Sequence, residues 1–485
     1  MLNKYFAELV LPSVMSVMLA TLTLPGFAAG QGNLRNMLKS VNSHGIDASF
    51  NTAGAIDLDN AFFRSLGSNG RTCSTCHEPA QGWTITPQGV KERFEKTQGL
   101  HALFRLNDGA NSPNAAVSTV EERRKAYSML LSKANLRVGI GIPADAEFKL
   151  VEADDPYGHA TSSELSLFRR PLPSTNLKFL SSVMWDGRET TLMPGSSYCI
   201  FGTSTCYASV SFDLSTQANN ATVGHAEALQ TLTPEQRREI MTFESGLFTA
   251  QIHDTDAGNL ITEGGRGGPM QLSKQDYYFG INDTLAGDYR TRASFNPKAM
   301  SLYDAWTRFN SAGSSEEDEQ EKSSGSHSAR AAIARGQALF NTKPIRITNV
   351  RGLNDDLNMG VIAGTCTTCH NAPNAGNHSV PMALDIGISD ESRRTPDMPL
   401  YTLQNNVTGE TIKTTDPGRA LITGKWKDIG RFKGPVLRSV ASRPPYFHDG
   451  SAVDLNAVVD YYNNRFEMGL TELEKADLVA FLAAL

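Results

Sequence analysis

The stretches Thr72-Cys73-Ser74-Thr75-Cys76-His77 and Thr365-Cys366-Thr367-Thr368-Cys369-His370 decide how this chain folds. Each holds two thiols three residues apart, and a histidine follows the second thiol directly. On one tight turn, both sulfurs can add to the vinyl groups of a single haem, and the histidine then sits beneath the iron. Two rival readings of Cys-x-x-Cys are weaker. A four-cysteine zinc site needs the pairs to meet from opposite ends of the sequence, and it leaves both histidines idle. A thioredoxin-like redox motif needs a strand–helix–strand frame, which the flanking sequence lacks. The expectation is therefore two covalently bound haem c groups, held at Cys73, Cys76 and His77 and at Cys366, Cys369 and His370.

Working outward, helical patterns flank both motifs. Residues 55–66 (AIDLDNAFFRSL) lead into the first. Residues 329–341 (ARAAIARGQALFN) lead into the second, with Ile333, Gly336, Leu339 and Phe340 at helical spacing. Near the C-terminus, residues 454–466 read as one helix. Thr471 and Glu474 form a capping box that starts another, with Leu478, Phe481, Leu482 and Leu485 as its apolar face. Between these patterns lies loop sequence rich in Gly, Pro, Asn and Asp. The expected fold is mainly α: two c-type cytochrome domains, each wrapped around one covalent haem, with long loops and insertions.

Residues 311–328 (SAGSSEEDEQEKSSGSHS) are acidic and serine-rich and read as a linker. It separates an N-terminal haem domain, 30–310, from a C-terminal one, 329–485. Residues 1–29 form a separate unit. Lys4 starts it, residues 9–24 (LVLPSVMSVMLATLTL) are apolar, and Gly26-Phe27-Ala28-Ala29 ends it in small residues. This is the pattern of a secretory signal peptide, so a periplasmic location is expected, with no stable membrane span after cleavage. In an oxidising compartment, Cys199 and Cys206 are expected to close a short loop as a disulfide, by about 2.5 kcal/mol in the chain-entropy model. A redox-active pair is the alternative. The 485 residues carry 40% apolar and 20% charged side chains and a net charge of −6. That is an ordinary soluble composition, and it offers no basic surface for nucleic acid.

Three further segments make the chain resemble the bacterial dihaem cytochrome c peroxidases and the MauG enzymes. Met184-Trp185-Asp186-Gly187-Arg188 is similar to the family's F-W-D-G-R segment. Gln217 and Glu227, ten residues apart, match its distal pair. Residues 434–450 (GPVLRSVASRPPYFHDG) are similar to its P-x-L-R-N…P-Y-F/M-H-D-G segment. The resemblance implies a peroxidase that reduces hydrogen peroxide to water, with electrons relayed from the C-terminal haem through Trp185 to the N-terminal, peroxidatic haem. It implies Glu227 as general acid/base and Gln217 as its partner. A small periplasmic donor, a cytochrome c or a cupredoxin, would supply the electrons.

The same resemblance implies the iron ligands. His77 and His370 are proximal. The family's distal methionine lies fourteen residues beyond the histidine of the H-D-G segment, and counting from His448 reaches Tyr462. The MauG-like branch also has tyrosine there. Tyr461, Met468 and Met382 are the alternatives. At the first haem the expectation is an open or water-bound iron, with His101 as the rival ligand. Tyrosine stabilises oxidised iron, so oxidation of a protein substrate through a bis-ferryl state is a second implied function. A non-catalytic dihaem electron carrier is a third. The family also places one calcium ion between its domains, and the corresponding positions here lie near Pro171 and Arg443-Pro444-Pro445. The chain departs from the short peroxidases by insertions near 84–180 and 193–212, expected to shape access to the peroxide pocket or the partner surface.

Overall fold

The structure is a computed structural model that describes residues 32–200, 204–311 and 325–485. The signal-peptide reading and most of the acidic linker lie outside the described residues. The last linker positions do not: the helix Gly325–Thr342 begins within the stretch read as linker.

Helices stand where the apolar spacing put them in the C-terminal half. Gly325–Thr342 buries Ile333, Gly336 and Phe340 and leaves Leu339 half-buried. It crosses the C-terminal helix Glu472–Ala483, whose Thr471–Glu474 capping box forms as expected. Gly336 is the contact point. A side chain there would meet the carbonyl oxygen of Asp477, so only hydrogen lets the backbones approach this closely. Leu478, Phe481, Leu482 and Leu485 are buried against this pair. Leu455–Arg465 is a helix capped by Asp454.

The mainly α expectation is not confirmed: among the described residues helix is 30% and strand 19%. Residues 55–66 are not a helix. They make a short strand, Ala55–Asp57, and a single 3-10 turn, Ala61–Phe63. A four-stranded antiparallel sheet runs in the order Gly258–Asn259, Leu247–Asp254, Gly45–Asn51, Leu38–Asn42. Its central pair joins residues some two hundred positions apart, so neither strand announces its partner locally.

The insertion near 84–180 fastens the two halves together. Phe148–Asp154 pairs with Leu400–Asn405, which pairs in turn with Thr411–Thr414. Leu136–Ile140 pairs with Leu165–Arg169. At the end of that hairpin Arg169 grips Asp416 with two bonds, Nε to Oδ2 at 2.6 Å and Nη2 to Oδ1 at 2.8 Å, and Asp186 with a third at 2.5 Å. All three side chains are buried. Burial opposes ionisation of Asp186, yet Arg169 and Arg188 hold its carboxyl down at about 2. The second insertion is a small hairpin, Tyr198–Cys199 with Cys206–Tyr207, closed by the expected Cys199–Cys206 disulfide. No helix among the described residues is long and apolar enough to cross a membrane.

Candidate functional site

The two Cys-x-x-Cys-His turns fold alike. Each is a 3-10 turn, Cys73–Thr75 and Cys366–Thr368, preceded by a threonine. Thr72 N donates to Thr75 Oγ1 at 3.0 Å, and Thr365 N to Thr368 Oγ1 at 2.9 Å. The histidines are set by the same device. His77 Nδ1 donates to the Trp83 carbonyl at 3.1 Å, and His370 Nδ1 to the Gly376 carbonyl at 2.5 Å, each six residues downstream. Such a bond fixes the ring and the tautomer and leaves Nε2 free for a metal. Burial lowers both imidazoles' affinity for protons, His77 to about 4, which suits neutral ligands. Behind His77 pack Phe62, Trp83 and Phe243; behind His370 packs Phe340, backed by Phe481.

Each turn opens onto its own apolar cavity. One of about 190 Å3 is lined by Cys73, Cys76 and His77, and one of about 250 Å3 by Cys366, Cys369 and His370. The four thiols are unpaired, and the two pairs serve different cavities, which removes the zinc reading. The cavities share a wall: Trp185, Arg170, Lys433 and Arg443 line both. The indole Nε1 of Trp185 donates to the Arg170 carbonyl at 2.8 Å, and its own carbonyl accepts from Lys433 N at 2.9 Å.

The first cavity is roofed by one face of the helix Val210–Gly224. Leu214, Gln217, Ala218, Ala221 and Thr222 line it, and the chain beyond adds His225 and Ala226. This end of the helix is pinned to the loop before Cys73. Ser68 N donates to Ala226 O at 3.0 Å, and Asn69 Nδ2 to His225 O at 2.8 Å. Gln217 is thus a lining residue. Glu227 is not: it lies one residue past Ala226, exposed, in a left-handed backbone conformation. His101 is not a lining residue either; its Nδ1 accepts from Leu103 N.

Two titratable groups that the sequence reading did not assign do face this cavity. His225 Nδ1 meets Asp108 Oδ2 at 2.6 Å, and Asp108 Oδ1 pairs with the buried Arg71 at 2.6 Å. Asp108 belongs to the first insertion, so nothing local linked it to His225. Glu244 is buried, its Oε2 has no partner among the described residues, and burial pushes its carboxyl up to about 8. Its signal was present in the sequence: Glu244 falls at helical spacing with Ile240 and Phe243, and all three are buried on the helix Pro234–Ser245.

In the second cavity, Tyr462, Met382 and Met468 are all lining residues and Tyr461 is not. The Tyr461 hydroxyl donates to Ile386 O at 2.6 Å. The Tyr462 hydroxyl has no hydrogen-bond partner among the described residues. Burial pushes its phenol up, so without a metal it stays neutral.

No family model matches the chain. Among curated proteins it is 33% identical over 136 residues to the cytochrome-c peroxidase IdrP1 of Denitromonas iodatirespirans, covering 25% of this chain and 36% of that one. It is 31% identical over 171 residues to IdrP1 of a Pseudomonas species, covering 31% and 39%. Over these stretches the chain is similar to cytochrome-c peroxidases. The matches span little more than a third of those peroxidases' length. Two solved structures overlap it loosely. A MauG-like protein associated with microbial copper homeostasis covers 88% of the chain, at 15% identity and a TM-score of 0.34. A dihaem peroxidase variant from Burkholderia thailandensis covers 94%, at 15% identity and 0.30. Scores this low add nothing to the sequence relationship.

The cavities suit the haem c that relatedness to cytochrome-c peroxidases implies. Each offers two free thiols, an oriented imidazole and apolar walls. The shared wall also holds two further cations, buried Lys433 and half-buried Arg443, with no carboxylate ion pair for either among the described residues. Burial drags Lys433 down to about 7 and Arg443 to about 10. Cations left in this state call for anions, and haem propionates are anions. Calcium fits poorly. The carbonyls of Arg443 and Pro444 already accept from the Arg170 guanidinium, and no group of three or more acidic, histidine or cysteine side chains that could hold a metal occurs among the described residues.

Proposed function

We propose that this chain is an exported dihaem c-type peroxidase that reduces hydrogen peroxide to water. Electrons enter from a small periplasmic donor, a cytochrome c or a cupredoxin, and pass from the C-terminal to the N-terminal haem across Trp185. The observation that carries the reading is the pair of matched Cys-x-x-Cys-His turns whose cavities meet at one wall containing that indole. When bound, haem c supplies a redox-active iron and a conjugated plane through which electrons move.

The chain's residues do the rest. His77 and His370, fixed through Nδ1, would offer Nε2 to the irons of the two haems. Gln217 presents its amide from the helix face and orients peroxide without being consumed. We assign the proton transfer between the two peroxide oxygens to Glu227, which lies exposed one residue past the lining residue Ala226 and must turn its carboxyl inward to act. His225, steadied by Asp108, stands beside it. The largely apolar walls exclude water and lower the local dielectric.

Peroxide turnover by the purified dihaem protein with a reduced small cytochrome c tests the reading. Glu227→Gln is expected to abolish turnover with both haems still attached. Two low-spin irons inert to peroxide, before and after partial reduction, would leave only an electron carrier.

One observation favours a second reading. The unengaged Tyr462 hydroxyl lines the C-terminal cavity, and a phenolate there would stabilise oxidised iron over reduced iron. With that ligand the haem pair could store both oxidising equivalents and draw electrons from a protein substrate. A long-lived oxidised state formed from the diferric protein by peroxide alone, without reductant, supports this reading over the first.

A further inference from the structure

Arg170 follows the strand Leu165–Arg169 and is 4% exposed. Its Nη1 donates to the Lys133 carbonyl at 3.0 Å. Its Nη2 donates to the carbonyls of Arg443 and Pro444, each at 3.3 Å. The main chain is equally committed: Arg170 N donates to His448 O at 2.6 Å, and Arg170 O accepts the Trp185 indole. Three carbonyl oxygens from two distant parts of the chain therefore converge on one buried cation at the wall between the cavities. Convergent carbonyl oxygens are what a hard divalent cation takes as ligands. Here a planar guanidinium fills that position with a fixed charge and a forked set of donors. Arg443, half-buried, adds a second positive charge beside it, which repels any incoming metal ion.

We propose that the Arg170 guanidinium stands in for an inter-domain metal ion, so that the junction between the two haem cavities is charged and tied from within the chain and takes up no calcium. Burial and the neighbouring Arg443 lower Arg170 only to about 9, so it stays charged at neutral pH. Three backbone carbonyl dipoles replace the carboxylate that a buried arginine normally needs. The proposal concerns assembly of the junction and holds whether or not the protein is a peroxidase.

The test uses the full dihaem protein, stripped with EGTA and then equilibrated with calcium chloride. Calcium content is read by elemental mass spectrometry and Tm by thermal melting. The wild type is expected to retain no stoichiometric calcium and to melt identically in EGTA and in calcium. Arg170→Asn opens the carbonyl nest and supplies an oxygen. Its Tm in EGTA is expected to fall by roughly 2–4 °C and to recover in part with calcium. Arg170→Met is expected to fall similarly and not to recover. One calcium per wild-type chain, removed by EGTA with a drop in Tm, overturns the proposal. So does an Arg170→Asn protein blind to calcium, or an Arg170→Met protein that melts with the wild type. If neither variant accumulates folded, calcium content and the EGTA melt of the wild type decide alone.

Discussion

The indole nitrogen of Trp185 donates to the backbone carbonyl of Arg170 at 2.8 Å, inside the wall that both cavities share. One bond thus orients the ring between the cavities and joins it to the residue that gathers the carbonyls of Lys133, Arg443 and Pro444. The ring also lies edge-on to His448, with centroids 6.4 Å apart.

Removing the indole should separate electron passage from haem loading. Trp185→Phe keeps an aromatic ring but loses the bond to Arg170. Both haems are expected to remain attached, with unchanged absorbance per chain. Reduction of the N-terminal haem by the C-terminal one is expected to slow roughly tenfold, equivalent to about 1.4 kcal/mol of barrier. Stopped-flow mixing of the half-reduced protein with peroxide measures it. An unchanged rate would remove Trp185 from the path.

The two adjacent tyrosines should behave differently. Tyr461→Phe breaks the 2.6 Å bond to Ile386 O and is expected to cost about 1 kcal/mol in stability, with no change in the spectrum of the C-terminal haem. Tyr462→Phe breaks no hydrogen bond seen among the described residues. Its expected effect is on the electron paramagnetic resonance of that haem. Spectral change in the first variant and none in the second would reverse the assignment.

Glu244 gives a pH signature. Burial raises its folded-state carboxyl from the usual 4.5 to about 8. Below 4.5 both folded and unfolded chains carry the proton, and there is no penalty. As pH rises from 4.5 towards 8 the unfolded chain ionises while the folded one does not, so stability falls across that window. Glu244→Gln is therefore expected to melt above the wild type at pH 8 and level with it at pH 4. Parallel melting curves at all pH values would show that the carboxyl is already paired or solvated.

The two Cys-x-x-Cys-His turns were legible because their geometry is local. Two thiols and a histidine in five residues need one turn, and the threonine before each turn helps build it. The C-terminal helices were legible for the same reason, since a capping box and an apolar stripe act within a few residues of each other. Residues 55–66 misled because Leu58, Phe62 and Leu66 are spaced as on a helix, yet Phe62 and Phe63 serve the aromatic cluster behind His77 from a single 3-10 turn. The strands Gly45–Asn51 and Leu247–Asp254 left no sign because each is stabilised by the other.

Residues close along the chain set the two matched Cys-x-x-Cys-His turns, their order and the short disulfide loop. Each depends on residues close enough to interact before the chain folds. Only the tertiary structure decided which side chains face the cavities. It turned Glu227 outward, brought Asp108 to His225, left the Tyr462 hydroxyl free while Tyr461 is bonded, and closed Arg170 onto carbonyls from residues 133, 443 and 444. Those choices depend on burial and on hydrogen bonds between distant segments. A buried charge or hydroxyl is set by whatever the fold brings against it, and spacing along the chain carries no record of that.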